Sequence, residues 1–283
     1  MRIGIFTDAF ADRPLAAVLD WLAGELPDVR DVEIGTGGYS PAPHLGDLAE
    51  VERRGYRLSA LNVSGNPLEV PEHDRALRET IRLAGELGVE RVVCMSGGRA
   101  ELAGAGWFPG IEEATERYLR ERVLPYWQEV AALARAEHSE LRLCLELEPG
   151  SAVFNTRTFE QVAECGENLA VNLDPSHFFW QAIDPLVVVE RLGSRVGFAH
   201  GKDTVLDGGR VPLDGLVDRG AWRYATVGRG HDASWWQAFA DALARVGYDG
   251  VVSVEYEDPL VPPEESVVEA AGVLEQAIGR VRA

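Results

Sequence analysis

Short apolar, β-branched runs alternate with longer amphipathic segments from one end of this chain to the other, and that alternation restricts its fold more than any other feature. The strand-like runs are residues 2–7, 31–35, 57–62, 91–95, 142–148, 169–174, 195–200 and 251–257. Helical patterns lie between them at 13–23, 45–54, 74–87, 111–136, 157–164, 185–192 and 233–246, and a last one at 264–280 closes the chain. Successive strands separated by a helix-length crossover can pair in parallel, and roughly eight such βα units are what a closed parallel barrel requires. The fold class expected is therefore α/β, a single (β/α)8 barrel with outer helices. No Gly/Ser linker, low-complexity tract or short repeat divides the 283 residues, so one domain over 1–283 is expected. A doubly wound open sheet is the main alternative, and the lack of a Gly-rich dinucleotide fingerprint after the first strand weakens it.

Two connections are long. Residues 201–232 show no clear periodicity, well past the ~12–15 residues usual for a structureless loop, yet carry Trp222, Tyr224 and many glycines. A lid over a site would look like this; a disordered insertion is the alternative. Residues 96–110 form a second, shorter connection with Trp107 and Phe108. Both follow strands, which places them on a barrel's active face.

Composition narrows the partners. With 27 Lys and Arg against 46 Asp and Glu, the formal net charge is −19. Such a surface repels phosphate backbones and anionic membranes, because nucleic-acid affinity comes largely from cationic side chains displacing counter-ions. No nucleic-acid or membrane partner is expected. Cys94, Cys144 and Cys165 form no CxxC pair, and two of them sit in apolar runs, as buried free thiols in a reducing compartment would. Residues 1–7 begin a strand at once without a signal peptide's long apolar region, and no apolar run approaches the ~20 residues of a membrane span. A cytoplasmic protein is expected.

In four consecutive strands a metal-competent side chain arrives near the C-terminal end. These are LCLELE (143–148), AVNLD followed by PSH (170–177), VGFAH followed by GKD (196–203) and VVSVEYED (251–258). Side chains alternate faces along a strand. Leu143, Leu145 and Leu147 therefore oppose Cys144, Glu146 and Glu148, while Val252, Val254 and Tyr256 oppose Ser253, Glu255 and Glu257. If the apolar sets face the helices, the carboxylates point into the barrel. Unpaired carboxylates there are costly, and a bound cation is the simplest remedy. A lone strand-end Glu is more often a solvated rim residue; four on successive strands are a different matter.

These segments, LELEPG (145–150), NLDPSHFFW (172–180), AHGKDT (199–204) and VSVEYEDP (252–259), resemble the sugar phosphate isomerase/epimerase group of xylose isomerase-like TIM barrels. VEIGTGGYSPAPH (32–44), LNVSGNPL (61–68), RLAGELGVERVVCMSG (82–97) and WQAFADALARVGYDG (236–250) agree with it, so the resemblance covers nearly the whole chain. It implies that Glu146, Asp174, His200 and Glu255 hold one divalent metal and that His177 helps hold substrate. Three oxygens and one nitrogen suit Mn²⁺ best, with Mg²⁺, Co²⁺ and Zn²⁺ as alternatives. The chain departs from the pattern at Glu148 and Glu69, where similar proteins often carry His, and at Phe198, which replaces the first His of H-x-H-x-K-D.

The activity so implied is a metal-dependent sugar or keto-sugar isomerase or epimerase working through an enediolate, with Glu146 and Glu255 removing and returning the proton. Lys202 would steady the developing oxyanion or pair with Asp203. Asn62, Glu69, Glu148, Asp203, Trp180 and Trp107 complete the expected substrate-binding set, the tryptophans by stacking on sugar faces. A lyase or dehydratase acting on a keto-inositol or 3-keto-glycoside uses the same site. An abasic-site endonuclease is disfavoured by six histidines and the net charge, and a non-catalytic sugar-binding barrel by the presence of every expected ligand. A small-molecule sugar substrate and a homo-oligomer are expected.

Overall fold

A computed structural model describes residues 1–98 and 111–281. In chain order its strands and longer helices are β1 (Arg2–Phe6), α1 (Leu15–Glu25), β2 (Asp31–Gly37), α2 (Ala49–Arg53), β3 (Arg57–Val63), α3 (Pro71–Leu87), β4 (Arg91–Met95), α4 (Ile111–Tyr118), α5 (Leu124–Glu137), β5 (Arg142–Glu146), α6 (Thr156–Ala163), β6 (Leu169–Leu173), α7 (Ser176–Phe179), α8 (Pro185–Leu192), β7 (Val196–Gly201), β8 (Asp203–Leu206), α9 (Val211–Asp214), β9 (Trp222–Ala225), α10 (Ala233–Arg245), β10 (Val251–Val254) and α11 (Pro263–Val281). Strands β1 to β7 and β10 close into a parallel barrel in the order β1-β10-β7-β6-β5-β4-β3-β2. All eight strand-like runs of the sequence are barrel strands.

The alternation of side chains sorts the barrel into layers. Leu143, Leu145, Val252 and Val254 join the large core between strands and helices, where Trp127 of α5 and Trp236 of α10 are fully buried. Inside the barrel, Ala60, Val93, Cys144, Ala170, Phe198 and Val251 form a separate apolar layer. One step below it, at the N-terminal mouth, Asp31 ion-pairs with Arg2 at 3.1 Å and Arg57 at 2.5 Å. One step above it, Glu33, Asn62, Glu146, Asn172 and His200 ring the axis; the register pairs Glu146 with Asn172 and Ser253 with His200. The apolar layer thus seals the floor of a polar site at the strands' C-terminal ends.

Three expectations change. The helix expected over 111–136 is interrupted by a π turn at Leu119–Val123. Pro125 has no N–H to offer the carbonyl of Glu121, and the helical register loosens just before it. The helix expected over 45–54 shrinks to a 3₁₀ turn at Leu45–Asp47 and the five residues of α2, with Gly46 at its expected start a poor helix former. The connection at 201–232 is not structureless: β8 and β9 pair antiparallel, Asp203 opposite Ala225 through Leu206 opposite Trp222. Strands of four residues are too short to leave a periodicity. Trp107 and Phe108, in the other long connection, lie outside the described residues. Among the described residues no helix is long and apolar enough to cross a membrane. Cys94 and Cys144 are buried, Cys165 half-buried, and all three are free.

Candidate metal centre

Glu146 ends β5, Asp174 follows β6, His200 lies in β7 and Glu255 follows β10, so four strand ends bring their side chains to one point. One ligand atom from each lies within 4.8 Å of all the others. His200 is fully buried and bridges two shells. Its Nδ1 lies 2.8 Å from Glu255 Oε2 and 4.0 Å from both Glu146 Oε2 and Asp174 Oδ2. Its Nε2 faces both oxygens of Glu33, at 3.2 and 3.1 Å. Glu33 is itself held by Asn62, whose Nδ2 donates to Oε1 at 2.7 Å. A carboxylate behind a ligating imidazole fixes the tautomer and strengthens the ligand.

The donor set fits a divalent cation. Asp174 Oδ2 and Glu255 Oε2 are buried and have no hydrogen-bond partner. Lys202 Nζ stands within ion-pair distance of both, at 3.1 and 2.8 Å, without the alignment of a hydrogen bond. Glu33, Glu148 and Glu257 add three more carboxylates close by, so the acidic groups outnumber Lys202, His177 and His200 even with every histidine charged. Burial opposes charge on His200, but Glu33 and Glu255 overcome it and push its pKa well above the usual histidine value. Burial pulls the other way on Glu255 as well, where Lys202 and His200 hold the carboxyl well below its usual range. Oxygen-rich sites with one imidazole suit Mn²⁺ and its neighbours among hard and borderline ions.

A cavity of about 380 Å³ opens over this cluster. His177 stands at its wall, with Nε2 2.7 Å from Glu146 Oε1 and Nδ1 3.0 Å from the Tyr224 hydroxyl. Tyr224 comes from β9, so the hairpin reaches into the site. Asn62, Glu148, Lys202 and Glu257 line the same cavity, as do Asp8, Tyr39 and Ser40. Burial raises the Glu148 carboxyl to about 7, with His177 opposing the shift.

Other residues named from the sequence have partners or places different from those expected. Lys202 pairs with Asp174 and Glu255, not with Asp203. Asp203 turns away from the cavity: it accepts the amides of Gly228, Gly230 and His231 at 2.9–3.1 Å and the His231 ring at 2.7 Å. Its role there is to tie down the loop after β9. Glu69 accepts a hydrogen bond from the Tyr118 hydroxyl at 2.6 Å and is absent from the cavity wall. Trp180 stacks on Trp222, 4.6 Å between centroids and 5° between planes, outside the lining. Trp107 lies outside the described residues. Phe198 belongs to the apolar layer under the site, 5.9 Å from the His200 ring. Sequence reasoning missed Glu33 and Asn172, and named Tyr224 only as part of a possible lid. Glu33 was visible in principle, as the polar residue between Val32 and Ile34 on a strand; Tyr224 was marked as an aromatic of the long connection, without its contact to His177.

A closed eight-stranded parallel barrel with a carboxylate-histidine cluster at its C-terminal mouth defines a class of proteins, and comparison with known ones places the chain within it. Residues 48–277 match the family model described as xylose isomerase-like TIM barrel, and the chain belongs to that family. It is 31% identical to the uncharacterized protein YfiH of Bacillus subtilis (strain 168), over 99% of this chain and 100% of that protein. Among solved structures, L-ribulose 3-epimerase superimposes with a TM-score of 0.65 at 17% identity, covering 99% of this chain and 95% of the other. The probable 3-DHS dehydratase AsbF of Bacillus anthracis gives 0.66 at 12% identity, covering 100% and 99%. At those identities the two structures establish the shared fold.

Proposed function

We propose that this protein is a divalent-metal-dependent isomerase or epimerase of a keto-sugar. The observation that carries this reading is the convergence of Glu146, Asp174, His200 and Glu255 within 4.8 Å at the floor of an open polar cavity. These four would hold the ion, with Mn²⁺ the best match. The bound ion would supply Lewis-acid stabilisation of the negative charge that develops when a proton leaves the carbon beside a carbonyl. Glu146 and Glu255, on β5 and after β10, would take that proton and return it. His177 holds Glu146 in place through Nε2, and His200 and Lys202 hold Glu255. No arginine occurs among the described residues that line the cavity, while Glu148 and Glu257 do. That lining favours a neutral sugar over a phosphorylated one. Three free thiols suit a reducing, cytoplasmic setting.

A second reading, a lyase or dehydratase on a keto-inositol or 3-keto-glycoside, has its own support. Elimination needs an acid for the departing hydroxyl in addition to the base, and Glu148 and Glu257 stand in the same cavity. Similarity to both an epimerase and a probable dehydratase is compatible with either reaction.

The test begins with elemental analysis of wild type and Glu255→Gln. About one equivalent of Mn²⁺ or a similar ion, sharply reduced in the variant, is expected. Keto-sugars are then screened for deuterium uptake from solvent, with ultraviolet detection of any unsaturated product separating elimination from epimerisation. No metal in either protein after reconstitution with Mn²⁺ would overturn the proposal.

A further inference from the structure

Of the 27 cationic Lys and Arg residues in this chain, only one is lysine, and it is Lys202. Everywhere else the chain uses arginine; at the carboxylate cluster it places a compact ammonium on a flexible stem. The Lys202 side chain is 2% exposed. Its Nζ stands 3.1 Å from Asp174 Oδ2 and 2.8 Å from Glu255 Oε2, the two buried oxygens that lack a hydrogen-bond partner. Those are also oxygens a divalent ion in the cluster would use, since His200 Nδ1 faces both. The ammonium offers charge to them without directional bonds, as an exchangeable counter-ion does.

Lys202 has a second set of partners, both on the cavity wall. Glu257 Oε1 is 3.7 Å from Nζ, and the face of the Tyr224 ring is 4.6 Å from it. The Tyr224 ring is pinned by its hydroxyl at His177 Nδ1, 3.0 Å away, so this second seat is rigid. A cation over a tyrosine face beside a carboxylate is a favourable resting place.

Resting on the metal-dependent reading above, we propose that Lys202 is a tethered counter-ion that a divalent metal displaces. Two positive centres cannot share Asp174 Oδ2 and Glu255 Oε2 at these distances without strong repulsion. Metal binding therefore moves the ammonium onto Glu257 and Tyr224, where it faces the substrate cavity. Removing the ammonium eliminates a competitor and tightens metal binding; removing the second seat weakens it.

The test is titration of purified protein with Mn²⁺ alone, followed calorimetrically, for wild type, Lys202→Met and the double variant Tyr224→Leu/Glu257→Gln. Lys202→Met is expected to bind Mn²⁺ about tenfold more tightly, and the double variant at least about threefold more weakly, than wild type. A wild-type readout guards against misfolding of Lys202→Met: protein labelled with ¹⁵N-lysine has one side-chain ammonium, and its resonance should shift on saturation with Zn²⁺. Equal or weaker Mn²⁺ binding by a folded Lys202→Met, or an unmoved lysine resonance in Zn²⁺-loaded wild type, would overturn the inference while leaving the metal site intact. Absence of Mn²⁺ binding in every protein would overturn the metal-dependent reading itself, and this inference with it.

Discussion

His200 has two ring nitrogens with two different neighbourhoods, and the chemistry of the site turns on that difference. Nδ1 faces Asp174, Glu146 and Glu255, and Nε2 faces Glu33. A cation-bound imidazole would keep its remaining proton on Nε2 and donate it to Glu33. Glu33→Gln removes the negative charge from this support, so the Mn²⁺ affinity of the variant should fall by about 10- to 100-fold with the fold intact. Calorimetric titration checks this, and an unchanged affinity would show that Glu33 does not act through His200. At this scale the four expected ligands could be named from sequence because each sits at a strand end in a recognisable segment. Glu33 could not be ranked above any other strand glutamate, because its partner His200 is 167 positions away in the chain.

At the scale of elements, the β8–β9 hairpin shapes the site. It delivers Tyr224 to the cavity and is clamped at its base by two buried aspartates. Asp203 gathers the amides of the loop after β9. Asp258, following β10, accepts the Thr226 amide at 2.9 Å, its hydroxyl at 3.0 Å and the Leu260 amide at 3.0 Å, with Arg223 at 3.2 Å. Burial works against the Asp258 charge, but these donors and Arg223 hold its pKa below the usual aspartate value of 3.8. A carboxyl depressed in the folded state stabilises above its unfolded pKa and loses that contribution as pH falls through the folded value. The clamp should therefore hold from neutral pH down to about 4 and loosen below it. Asp258→Ala should destabilise the hairpin by about 2 kcal/mol already at neutral pH. Amide hydrogen exchange of residues 203–206 and 222–225 reads both effects, and exchange unchanged by the substitution would refute the clamp. The aromatic residues of 201–232 suggested a lid, but the clamp was not legible, since Asp203 acts through amides more than twenty positions away and Asp258 lies outside the segment it holds.

Across the whole molecule, charge is layered along the barrel axis. Arginines neutralise Asp31 at the base, an apolar layer lies above them, and carboxylates crowd the C-terminal mouth. If the mouth holds the divalent cation proposed above, that ion stabilises the top of the native state, and by linkage it would raise the stability of the entire fold. Mn²⁺ at a hundred times its dissociation constant should add about 2.7 kcal/mol, a rise of roughly 5 °C in Tm. Differential scanning calorimetry with and without chelator measures it, and a Tm indifferent to Mn²⁺ would refute the linkage. The barrel, and the inward faces of β5 and of the strand ending at Glu257, were legible in the residues alone, because strand and helix periodicities are local properties written in every few residues. The sequence also carried the four expected ligands, each marked by its own short segment. The side chains that support them are brought together by folding: Glu33 behind His200, Tyr224 over Lys202, and Lys202 between Asp174 and Glu255. Those contacts depend on closing a barrel from strands far apart in the chain, and no local pattern records the distance between two strand ends that meet only on folding.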